Sequence, residues 1–290
     1  TSRAGFDFDA IAATARIALR MLDSVIDLSH FPLPAQAEQA RGTRRVGLGI
    51  SGLADALIML GLHYAEPAAR EQAALAMRTI RDAACLESVE LARQHGAFPF
   101  FDRDAYLEAA GVRGLPAPIR QAIHDHGIRN SHLTAIAPAG TISLLANNIS
   151  SGIEPVFDFR YRRRIRDAAG VFREYTTDDF AWRLWQQSRP AEALPEYFVK
   201  AHSLTPMAHL EMQAALQPCV DSAVSKTVNV PADCGFAAFQ ELYREAYRLG
   251  LKGCTTFRPN EVTGSVLGGG DESLATEAMT GCCNLERESG

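Results

Sequence analysis

The sequence has only six cysteines in 290 residues, and none stands in CxxC or CxxH spacing. That scarcity speaks against a disulfide framework and against a structural zinc site, and it fits a reducing, cytoplasmic setting. No apolar run reaches about 18 residues, so no membrane-spanning helix is expected. The first residues show no charged segment followed by an apolar one, so no signal peptide is expected either. Basic charge is not in excess: 29 Lys and Arg stand against 34 Asp and Glu, a net charge of -5. A protein that coats a nucleic-acid backbone is therefore disfavoured, and any nucleotide bound is expected to be a small molecule. The chain opens on Thr1 and not on Met, so a piece of a longer protein is the expectation. What is present is an ordinary globular composition, 47% apolar and 22% charged. The length allows one large domain or two small ones with a sizeable core.

Hydrophobic periodicity organises the chain. Phe8, Ile11, Ala15, Leu19, Leu22 and Ile26 recur at helical spacing until Phe31-Pro32-Leu33-Pro34 stops them, which predicts a helix and then a proline turn. Further helices are predicted over 51–61 and 67–95, the second ending at Gly96. The apolar run 133–138 ends in Pro-Ala-Gly and leads into helix-competent residues 141–146, reading as strand, tight turn and helix. Strands are also predicted over 156–161, 227–230 and 254–257. The last two flank a helical stretch, 236–250, at the spacing of a βαβ unit. The expectation is an α/β barrel-like domain over 1–263, followed by a Gly-rich, acidic, flexible tail over 264–290.

Several motifs carry a functional and a structural reading side by side. Gly47-Leu-Gly-Ile-Ser-Gly52 satisfies GxGxxG, yet Gly42-Thr-Arg-Arg-Val46 before it is too polar for the buried first strand of a dinucleotide fold. Close packing against a helix is the expected role. Pro138-Ala139-Gly140-Thr141-Ile142 places small residues at a strand-to-helix turn, where backbone N–H groups and the helix dipole can hold an anion. A plain capped helix explains the same residues equally well. Arg160-Tyr-Arg-Arg-Arg-Ile-Arg166 carries five arginines, read as a solvated strand or loop. His124 and His126 have no partner at metal-ligand spacing and read as a polar loop.

Five phrases, taken together and in this order, resemble ribonucleotide reductase large subunits. They are Arg45-Val-Gly-Leu-Gly-Ile-Ser-Gly-Leu-Ala-Asp55, Gly127-Ile-Arg-Asn-Ser131, Ala137-Pro-Ala-Gly-Thr-Ile-Ser143, Ser151-Gly-Ile-Glu-Pro155 and Leu251-Lys-Gly-Cys-Thr-Thr-Phe-Arg-Pro-Asn260. The resemblance implies the second half of a ten-stranded α/β barrel. The turn Pro138, Ala139, Gly140, Thr141 and Ile142 would hold the substrate phosphates. It also implies that the thiyl-forming cysteine, on a finger loop with an Asn-x-Cys-x-Glu motif absent here, precedes Thr1. Thr255-Thr256 stand where reductases fed by a separate di-metal subunit have two tyrosines, so the resemblance points to the adenosylcobalamin-dependent class II. A class I large-subunit fragment and a non-catalytic piece that completes another half-barrel stay as alternatives.

The implied reaction is reduction of ribonucleotides, with a lean to ribonucleoside diphosphates. The implied partners are thioredoxin or glutaredoxin and the amino-terminal half of the same subunit, with room for a homodimer and none for nucleic acid or membrane. Cys282 and Cys283 would form a redox relay in the tail. Adjacent Cα atoms lie only about 3.8 Å apart, so a bond between them would be strained and readily reduced. No metal ligand set is expected.

Overall fold

The computed structural model describes residues 4–166, 171–258 and 268–269. The chain begins with α1 (Phe8–Leu28), capped by Asp7, whose carboxylate accepts from Ala10 N at 2.9 Å. Then come α2 (Pro34–Thr43), α3 (Leu53–Met59) and α4 (Pro67–His95). Proline occupies the first turn of α4, and Gly96 ends it at φ +83°. Alanines 69, 73, 76, 83 and 84 are all buried on α4, and such small side chains let the neighbouring α1 and α10 (Pro206–Leu216) approach closely. Next follow α5 (Arg103–Glu108), α6 (Ala110–Arg113), α7 (Ala117–His126) and α8 (Gly140–Leu145). The antiparallel pair β1 (Arg160–Arg166) and β2 (Phe172–Asp178) leads into α9 (Phe180–Ser188). After α10 the chain forms β3 (Thr227–Asn229), α11 (Phe236–Arg248), β4 (Thr255–Phe257) and the short β5 (Gly268–Gly269), which pairs with β1.

Four extended segments stand side by side in parallel and in chain order. Leu48 bridges Thr134, Ile136 bridges Val224, and β3 pairs with β4 in the register Thr227 with Thr255. The predicted βαβ unit is therefore present, with α11 as its crossover. The coarse expectation of an α/β domain with parallel pairing is met. Among the described residues these pairings do not close into a barrel: they form a two-stranded parallel sheet, a three-stranded antiparallel sheet and isolated bridges.

Two predicted strands are altered for identifiable reasons. Along 133–138 only bridges form, because the Asp221 carboxylate takes the N–H groups of Leu133 (2.7 Å) and Thr134 (3.1 Å) in place of a strand partner. Of 156–161 only Arg160 and Tyr161 belong to a strand. The preceding backbone turns elsewhere: Val156 O accepts from Ala201 N, and Phe159 O from Asp179 N. His124 and His126, expected in a loop, form the last turn of α7.

The GxGxxG glycines serve close packing, but not against a helix: Gly47 and Gly49 face Ala135, and Gly52 faces Ile149. A Cβ on Gly49 would lie 2.4 Å from the carbonyl oxygen of Ala135, and Gly52, at φ +80°, donates to Ser150 O at 2.7 Å before α3 begins. The Gly127–Ser131 phrase is likewise structural in part. Asn130, fully buried, donates to Asp23 at 2.8 Å and to Arg44 O at 3.0 Å, tying α1 to the turn after α2.

Candidate active site

A cleft of about 640 Å³ opens along the parallel segments, lined at both the first and last residues of β3 and β4. Ala137 and Pro138 follow the bridged Ile136, Asn229 closes β3, and Thr255 and Phe257 lie on β4; all five line it. The volume suits one ligand of nucleotide size. The opposite wall comes from Ser150, Ser151 and 154–158, with Tyr161 and Asp179 beyond.

The turn into α8 forms part of this wall. Ala139 precedes the helix and donates its N–H to Ser151 Oγ at 3.1 Å, while Ser143 Oγ donates to Gly140 O at 2.9 Å. The first-turn N–H groups have no acceptor within the helix, as at any helix start. A Cβ on Gly140 would meet no protein atom within 4 Å, so the missing side chain leaves open space and is not a packing requirement. Of the five predicted residues, Pro138 and Gly140 line the cleft. Ala139 acts through its bond to Ser151, and the side chains of Thr141 and Ile142 are exposed outside the lining.

Beneath the cleft lies a buried polar cluster that the sequence reading did not assign. Lys226 Nζ donates to Glu154 Oε2 (2.6 Å) and to Thr227 O (2.8 Å), and it contacts His209 Nδ1 at 2.7 Å. His209 Nε2 faces Ala201 O at 3.2 Å, so the ring's proton sits there and Nδ1 accepts from the ammonium. Burial, with the Lys226 charge second, pushes His209 down to about 3, which keeps it neutral. Burial lowers Lys226 as well, opposed by Glu154. A second pair joins Asp55 and Asp179. Asp55 accepts from Ser150 N (2.6 Å) and Ala181 N (3.0 Å), and Asp179 caps α9 by accepting from Trp182 N at 3.0 Å. Burial first, and the Asp55 carboxylate second, push Asp179 well above the ordinary carboxylate range.

Glu154 stands in one of the five family-like phrases, which was the available signal. Lys226 looked like an ordinary polar residue before a short strand, and nothing local pointed to His209. No cysteine lines the cleft among the described residues: Cys85 and Cys219 are buried with thiols pushed up by burial. Cys282 and Cys283 lie outside the described residues. Of the arginine cluster, Arg160 is engaged with Asp178 at 2.7 Å and lies over the Trp182 ring. Among the described residues no three His, Cys, Asp or Glu side chains are grouped to hold a metal, and no helix is long and apolar enough to cross a membrane.

Comparison with known proteins matches residues 1–257 to the ribonucleotide reductase barrel domain. The vitamin B12-dependent ribonucleoside-diphosphate reductase of Mycobacterium tuberculosis (strain H37Rv) is 35% identical over 278 residues, covering 90% of this chain and 37% of that protein. The enzyme of the same description from Thermoplasma acidophilum is 34% identical over 281 residues, covering 91% and 34%. The ribonucleoside-diphosphate reductase subunit alpha of Chlamydia muridarum is 27% identical over 299 residues, covering 89% and 28%. The chain thus spans about a third of the length of these relatives.

Proposed function

Because the chain belongs to the ribonucleotide reductase barrel-domain family, we propose that its cleft holds a ribonucleoside diphosphate for reduction to the 2′-deoxynucleotide. The observation that carries this is the meeting, in one cleft of nucleotide size, of the α8 turn through Pro138 and Gly140 with the polar groups of Glu154, Thr227 and Asn229. The phosphates lie on the turn, held by backbone dipoles and without a lysine, which fixes the sugar against the reacting thiol. The substrate loses its 2′-hydroxyl as water, and a cysteine pair is oxidised to a disulfide, so one dithiol is consumed per deoxynucleotide formed.

The chain is the second half of the barrel in this proposal. The thiyl-forming cysteine comes from sequence outside it. Adenosylcobalamin is the proposed radical source, because the relatives cited from M. tuberculosis and T. acidophilum are vitamin B12-dependent. Its role when bound is to supply the radical. No residue lining the cleft is assigned to the cofactor, and no step here runs through it. Thr255 and Thr256 agree with a locally generated radical, since threonine offers no oxidisable phenol. The phenol beside them, Tyr243, lies 3.2 Å from Thr256 Oγ1 on α11 and does not line the cleft. Thioredoxin or glutaredoxin is the proposed reductant, acting through Cys282 and Cys283.

The test is equilibrium binding of CDP to the full-length polypeptide that carries this chain, read together with hydrogen exchange. Binding should slow exchange across 137–145 and 227–229. Tight binding with protection confined to other segments would remove the nucleotide from this cleft.

A further inference from the structure

The cleft contains three carboxyl side chains among the described residues, and they are not equivalent. Asp158 is engaged by Lys200 at 2.7 Å and by Phe159 N at 2.7 Å, and it is buried. Asp179 caps α9, and burial with the nearby Asp55 carboxylate pushes it up. Glu154 alone combines a fixed position with access: its side chain is 26% exposed, while that of its partner Lys226 is 0% exposed.

Its placement is over-determined. Glu154 N donates to Ser151 O at 2.8 Å, and Gly152 turns the chain at φ +57°. The same Ser151 holds Ala139 at the start of α8, so one short loop spaces the carboxylate relative to the phosphate turn. Oε1 accepts from Thr227 N at 2.6 Å and Oε2 from Lys226 Nζ at 2.6 Å. A carboxylate offers about four acceptor positions, so about two remain, on the side open to the cleft. The ammonium's three protons meet three acceptors: Glu154, Thr227 O and His209 Nδ1. Lys226 has no proton left for a ligand and no freedom to move. Burying such a charge costs several kcal/mol unless it is fully paired, and here the pairing ends on a group that faces the ligand.

We propose that Glu154 is the acceptor in this cleft for a hydrogen-bond donor of the nucleoside, a sugar hydroxyl or a base N–H. Lys226, oriented by His209, is the positioning residue that fixes it. This rests on the nucleotide reading above. It adds a second point of recognition beside the phosphate turn.

The test uses the full-length polypeptide with CDP and pyrophosphate as probes. Glu154→Gln combined with Lys226→Met removes both charges, so that neither is left buried and unpaired. The double variant should bind CDP about 10-fold or more weakly, the loss of one hydrogen bond to a charged group, and pyrophosphate as the unaltered protein does. Lys226→Met alone should weaken CDP to a similar extent, and adding it to Glu154→Gln should weaken CDP no further. Glu154→Asp keeps the charge that pairs Lys226 but withdraws the carboxylate, and it should shift CDP affinity in the same direction. If the double variant no longer distinguishes CDP from its 2′-deoxy or 3′-deoxy analogue, the donor is on the sugar; if it distinguishes them as before, the donor is on the base. Unchanged CDP affinity in the folded double variant, or in Glu154→Asp should the double variant not fold, overturns the proposal and leaves the ion pair purely structural. Failure of the unaltered protein to bind either probe overturns the nucleotide reading itself.

Discussion

Replacing Gly140 by Val separates what the ligand requires from what the fold requires. A Cβ there meets no protein atom within 4 Å, and the residue opens α8, so no neighbour has to move. Glycine is among the poorest helix formers, and the substitution should change stability by less than about 0.5 kcal/mol. A branched side chain at the start of α8 would instead hold an anion away from the first-turn N–H groups. Each charge-assisted hydrogen bond lost costs about 1.5–3 kcal/mol. One lost bond therefore raises the Kd for CDP about 10-fold or more, and two raise it about 100-fold or more. Calorimetric titration of the full-length polypeptide with CDP, alongside thermal unfolding, reads both quantities. The expected outcome is an unchanged Tm with a raised Kd. An unchanged Kd would show that the phosphates do not lie on this turn. A Tm lowered by about 5 °C or more would show that Gly140 serves the fold.

Gly49→Ala acts in the opposite sense: its Cβ would lie 2.4 Å from Ala135 O, so the bridge between Leu48 and Thr134 must open. A loss of about 1–3 kcal/mol in urea unfolding is expected. Asp179→Asn tests the raised carboxyl of Asp179. Asp179 binds a proton in the folded state at pH values where the unfolded chain has released it, so this group's contribution to stability is complete below about pH 4 and declines as pH rises toward its raised folded value. Asparagine keeps the cap on Trp182 N without needing the proton, so the variant's unfolding midpoint should fall less between acid and alkaline buffer than the unaltered protein's. Replacing both Cys282 and Cys283 by Ser should preserve a single turnover of the prereduced full-length polypeptide and stop repeated turnover driven by thioredoxin, measured as deoxynucleotide formed per chain.

What could be read from the sequence follows the reach of the interactions. The bounds of α4 were legible because Pro67 and Gly96 act within one helical turn, and the unit around α11 because its strands and crossover are contiguous. The turn at 138–142 was read as either an anion site or a plain cap, and the structure brings Pro138 and Gly140 of its five residues to the cleft. The segment 156–161 misled because its apolar pattern suits a strand, while its backbone bonds go to Ala201 and Asp179, far along the chain. Lys226 was opaque for the same reason: its partners lie 17 residues away at His209 and 72 away at Glu154. No local pattern marks a lysine whose charge is neutralised so far off. Thr141 and Ile142 belonged to the predicted turn as sequence, but the helical rotation of α8 carries their side chains outward.

The cleft is proposed to hold a ribonucleotide awaiting reduction, so the quantity that matters is deoxynucleotide produced. The full-length polypeptide, supplied with CDP, adenosylcobalamin and a dithiol, should form dCDP with one disulfide per product. Omitting adenosylcobalamin should abolish the reaction, and Gly140→Val should lower its rate about 10-fold or more at subsaturating CDP. Formation of dCDP at an undiminished rate without adenosylcobalamin would refute the proposed radical source. The same rate from Gly140→Val as from the unaltered protein would place the substrate elsewhere.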